Sequence, residues 1–171
     1  MKHLGCSRVG SHLALLVLCS NLTTVAVGQE SPEYPPESAS PSERLKFYLE
    51  RLGNPDYIIP GEPDGRHTWY IAAEAIGVVG SPAIPPLIEI LRSSENLFER
   101  TQVLYALLLA SQAPEIEKRL GPKPYPEGAA NFGFPLERKN QKIREAWLSW
   151  WNHNEKAIRE AAAEAKRKQN W

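Results

Sequence analysis

Cysteine is almost absent from this 171-residue chain, and its two examples, Cys6 and Cys19, both precede Gln29. If the segment that carries them is removed, disulfides and thiolate metal sites are excluded. Stability must then come from packing, which about 143 residues can supply. No apolar run reaches the roughly 20 residues that a membrane-spanning helix needs. A dense cationic stripe is missing too, since 20 Lys and Arg are balanced by 20 Asp and Glu. Nucleic acid is therefore excluded as an expected partner. Strand signals are also lacking, with no period-two alternation and no hairpin turn between apolar runs.

Catalytic motifs are missing as well. There is no His-Glu-x-x-His, no Gly-x-Ser-x-Gly and no Gly-rich phosphate loop. Beyond residue 28 the histidines are His67 and His153, and neither has a His or carboxylate at i+3 or i+4 to build a metal face. Glu62 and Asp64 share a Pro/Gly-rich loop and read as solvated charges rather than the converging acids of a glycosidase. Neither a catalytic residue, a metal nor a cofactor is expected.

Residues 1–28 have the order of a secretory signal peptide: Lys2 and Arg8, then "LALLVLC", then small and polar residues ending in Ala26-Val27-Gly28. Cleavage is expected after Gly28, with Ala26 as the second choice. A lipoprotein would acylate Cys19, but Leu18 stands where that pattern has a small residue. The expected location is the periplasm, cell envelope or exterior, with no transmembrane segment left after cleavage. Residues 29–134 hold 9 basic and 15 acidic side chains, and residues 137–171 hold 9 and 5. The body is acidic and the tail mildly basic.

What is present is helical punctuation. "QESPEYPPESASP" (29–41) reads as a Pro-rich linker. Ser42 is the expected N-cap of a first helix with Leu45, Tyr48, Leu49 and Leu52 on one stripe, closed by Gly53. Trp69, Ala72, Ala73 and Ile76 form the face of a second helix that Gly77 and Gly80 end. Pro85 and Pro86 are tolerated only in a first turn, so a third helix starts near Pro85. Asn96 caps a fourth, apolar nearly all round from Val103 to Ala110, which places it between neighbours. Pro114 starts a short helix that Gly121 ends. The expected organisation is a helical domain over 42–151 and a charged, Ala-rich C-terminal helix over 152–171, with Ile158 as its one large apolar anchor.

The stretch "AAEAIGVVGSPAIPPLIEILRSS…FERTQVLYALLLAS" resembles HEAT repeats of the bacterial type also seen in phycobilin lyases. The matching positions are Ala73, Ala75, Ile76, Gly77, Gly80, Ala83, Ile84, Pro85, Leu87, Ile88, Leu91, Arg100, Ala106 and Leu107. The likeness covers residues 66–112. It implies an all-α fold: a short α-solenoid of antiparallel helix pairs closed by capping helices. Trp69 stands where the first unit would carry the equivalent of Arg100. In those repeats that arginine packs and hydrogen-bonds between units. "NFGF…KIREAWLSWWNHN" is similar to the C-terminal signature of exported HEAT-repeat proteins, in which W-x-x-W-W lies on a helix. That likeness implies architecture and export and brings no reaction with it.

Trp147 and Trp150 share a helical stripe with Ile143 and Ala146, and Trp151 lies about 60° to its side. Burying a tryptophan removes roughly 150–250 Å² from water, a gross gain of about 4–6 kcal/mol. Core is therefore the expected role of Trp147 and Trp150, and Trp151 is the ring left to meet a partner. The resemblance implies that second helices line a concave wall. Its outward residues, His67, Tyr70, Glu74, Gln102 and Tyr105, together with Trp151, form the expected contact surface for a protein partner. The rival expectation is a ligand- or carbohydrate-handling accessory, or a lyase-like protein, using surface aromatics.

Overall fold

A computed structural model describes residues 32–61, 68–132, 137–169 and 171. The expected export segment 1–28 with Cys19, the loop acids Glu62 and Asp64, His67, and Gly133–Phe134 of the "NFGF" stretch lie outside the described residues.

Among the described residues six α-helices carry the fold: α1 (Pro41–Leu49), α2 (Ile71–Val79), α3 (Ile84–Ser93), α4 (Leu97–Ser111), α5 (Pro114–Leu120) and α6 (Glu137–Gln169). The chain is mostly helical, as expected. One departure is a two-stranded antiparallel sheet, β1 (Ile58–Ile59) and β2 (Trp69–Tyr70), paired Ile58 to Tyr70 and Ile59 to Trp69. Trp69 therefore leaves the helical face expected of it. It lies on a strand, half exposed, opposite an equally exposed Ile59.

Local chemistry explains the helix ends. Ser40, not Ser42, caps α1: its hydroxyl accepts from the Glu43 N–H, and the Glu43 carboxylate accepts from the Ser40 N–H at 2.7 Å. Pro41 then occupies the first helical position, where its missing N–H costs nothing. The stretch expected as a linker is tied down from residue 33 onward. Tyr57 donates to the Glu33 carbonyl at 2.7 Å, and Arg44 donates to the carbonyls of Glu37 and Ala39. Asn96 caps α4 by accepting from the N–H groups of Phe98 and Glu99. Pro114 opens α5 and Gly121 closes it. α3 starts at Ile84, with Pro85 and Pro86 in its first turn.

The core joins α1 to α4 and the inner face of α6, with Ile76, Ile84, Leu87, Ile88, Leu91, Leu104 and Leu107 fully buried. α2 and α4 lie side by side and run parallel. Glu74 meets Tyr105, Gly77 faces Leu109, Gly80 faces Ala113, and Ser81 donates its hydroxyl to Glu115. These contacts advance together along both segments, each pair 31 to 34 residues apart. Gly77 sets the spacing, because a Cβ there would stand 2.5 Å from the Leu109 Cβ. α3 follows α2 after a short turn and packs on α4.

α6 is one helix of 33 residues, so the boundary expected at 151/152 falls inside it. Its buried residues include Ile143, Trp147, Trp151 and, in the tail, the large Ile158 with the small Ala161, Ala162 and Ala165. Arg144 donates to the carbonyls of Leu91 (2.8 Å) and Arg92 (2.6 Å), which satisfies acceptors left open at the end of α3. Further along, Glu164 accepts from Arg119 of α5 at 2.9 Å.

Candidate functional site

Three of the expected contact residues come together. Tyr70 ends β2 and precedes α2, Glu74 lies in the first turn of α2, and Tyr105 stands at the middle of α4. The Tyr70 and Tyr105 rings pack edge to face, their centroids 6.0 Å apart and their planes at 67°. The Tyr105 hydroxyl donates to Glu74 Oε1 at 3.4 Å. All three side chains are half-buried. Burial, and next the Glu74 carboxylate, push the Tyr105 phenol above its usual range. Glu74 gains from the N-terminal end of the α2 dipole as well as from this hydrogen bond. The parallel packing of α2 on α4 is what joins residues 31 positions apart.

Two expected members are displaced from the surface. Gln102 is completely buried, and neither atom of its amide has a hydrogen-bond partner. The reading of Gln102 as outward-facing fails because α4 is enclosed on nearly every side at that level. Its neighbours Arg100, Thr101, Val103 and Leu104 are also buried. Trp151 is 1% exposed and belongs to the core beside the fully buried Trp147. Its expected role as the free ring is therefore corrected. Of the three clustered tryptophans Trp150 is the half-buried one, and it packs edge to face on Trp147 at 5.0 Å. The guanidinium of Arg159 lies 5.2 Å from the Trp151 ring.

Near the seam of α4 and α6 the polar side chains are sparsely paired. Asn140 donates to the Thr101 hydroxyl at 3.3 Å, while Asn140 Oδ1, Arg100 Nε and Trp147 Nε1 are buried without partners. The hydrogen bonding expected of Arg100 is thus not made by its Nε. His153 is exposed, with Nδ1 2.7 Å from the Ser149 carbonyl. Among the described residues no group of three or more His, Cys, Asp or Glu converges as metal ligands. No single described helix is long and apolar enough to cross a membrane.

The exposed Ile59–Trp69 pair lies outside the expected contact surface. Its signal was the apolar pairs Ile58-Ile59 and Trp69-Tyr70 on either side of a Pro/Gly-rich stretch, too short to show alternation.

This arrangement defines a helical protein with an aromatic and acidic surface cluster. No family model matches the chain. No solved structure matches it either. Over 51 residues, 30% of the chain, it is 33% identical to a 4-hydroxy-3-methylbut-2-enyl diphosphate reductase of Ectopseudomonas mendocina (strain ymp). The match spans 16% of that protein's length, too little to assign a family.

Proposed function

We propose that this chain is an exported, non-catalytic module for protein–protein interaction, built as a short HEAT-like solenoid, with residues 1–28 as its export signal. The observation that carries the reading is the parallel pairing of α2 with α4 at an offset of 31 to 34 residues. That offset is the step expected between second helices of successive units in a stack of helix pairs. α5 fits as the shortened first helix of a third unit. Pro114 and Ile116 repeat Pro82 and Ile84 at a spacing of 32, and both isoleucines are fully buried. α6 then seals the stack.

The stacking exposes a row of side chains from parallel helices, and Tyr70, Glu74 and Tyr105 lie in it. Half-buried aromatics on a rigid surface are the usual anchors of an interface, giving large contact area at little entropic cost. The carbohydrate reading loses support from the burial of Trp147 and Trp151, which leaves no tryptophan platform on α6.

Affinity capture with the purified chain tests the proposal. Tyr70→Ala and Tyr105→Ala are each expected to release the captured partner while helicity by circular dichroism is unchanged. Capture of the same partner by both variants would refute it.

A further inference from the structure

The Glu74 carboxylate is half-buried, and its one hydrogen bond among the described residues comes from a neutral phenol. No basic side chain among the described residues pairs with it, although Glu33, Glu50, Glu89, Glu155 and Glu164 each have such a partner. A partly desolvated carboxylate is best stabilised by a cation. Beside it are two tyrosine rings, whose faces carry negative quadrupole charge and attract cations as well. Carboxylate and rings therefore favour the same ligand charge. The surrounding body, with 15 acidic and 9 basic residues over 29–134, steers the same kind of partner toward it.

Resting on the interaction reading above, we propose that the Tyr70–Glu74–Tyr105 cluster is a receptor for a cationic side chain of the protein partner, an arginine in preference to a lysine. The guanidinium is planar and weakly hydrated. It can stack on a tyrosine face while donating to Glu74, which a compact ammonium does less well. The recognised element is then an exposed arginine on a basic stretch of the partner, docked against the groups that join α2 to α4.

Isotope-labelled chain titrated with N-acetyl-arginine amide, and in parallel with the neutral isostere N-acetyl-citrulline amide, tests this by NMR. The arginine probe is expected to give saturable shifts centred on Tyr70, Glu74 and Tyr105. The citrulline probe should bind about tenfold more weakly or worse, the ratio set by losing one charge-assisted hydrogen bond. Glu74→Gln should reduce arginine binding by a similar factor with the remaining spectrum unchanged. Equal responses to the two probes, a measurement that needs no variant, would overturn the proposal. So would arginine shifts that persist in Glu74→Gln. If the arginine probe fails here while Tyr70→Ala and Tyr105→Ala still release the partner, the cationic chemistry falls and the interaction face stands.

Discussion

Trp150 and Trp151 are adjacent, yet one is half-buried and the other has almost no contact with water. Measured around the whole of α6, the apolar stripe is centred on Trp147, with Trp151 about 40° to one side and Trp150 about 60° to the other. Ile158 and Ala162, both buried, lie on the Trp151 side of that centre. A reading that stops at residue 151 loses those votes and chooses the wrong neighbour. Trp151→Ala should cost about 3–5 kcal/mol in urea unfolding, as large core truncations do, and Trp150→Ala clearly less. The reverse order would show that the buried face of α6 has been misplaced. Tyr70, Glu74 and Tyr105 could be named from the repeat pattern, but their meeting depended on the α2–α4 register. Gln102 was misread because the same pattern does not reveal how completely α4 is enclosed.

At the level of elements, caps were the most legible feature. Asn96, Pro114 and Gly121 act where their chemistry requires. The capping box of α1 escaped because Ser42 also looks like a cap, although only Ser40 has a Glu three residues later. The two-residue strands were illegible, since neither is long enough to show a period. The tie between α5 and α6 is likewise tertiary. Glu164 is held at about 2, from an ordinary 4.5, by hydrogen bonds from Lys168 first and Arg119 second. A carboxyl pKa lowered on folding contributes stability that is full above about 4.5 and lost as pH falls toward about 2. Glu164→Gln should therefore melt below the wild type at neutral pH, with the difference shrinking across that window. A difference independent of pH would assign the effect to packing rather than charge.

Over the whole molecule, the division into a domain and a separate tail gives way to one continuous unit from Ser31 to Trp171. The second half of α6 places Ile158 and Ala161 in the same core as Leu87 and Leu104 and also buries Ala162 and Ala165. Deleting residues 152–171 should therefore lower the urea midpoint of the entire domain, followed by circular dichroism. An unchanged midpoint would make that half of α6 an independent appendage. The helices thus act together to hold one surface, the row from β2 and α2 to α4 where Tyr70, Glu74 and Tyr105 meet. Site-specific photocrosslinking tests that claim most directly. With a benzophenone side chain placed in turn at Tyr70, at Tyr105 and at the exposed Lys142 of α6, one protein adduct should form from the first two positions and not from the third. Adducts missing at both tyrosines, or the same adduct arising from Lys142, would contradict the account.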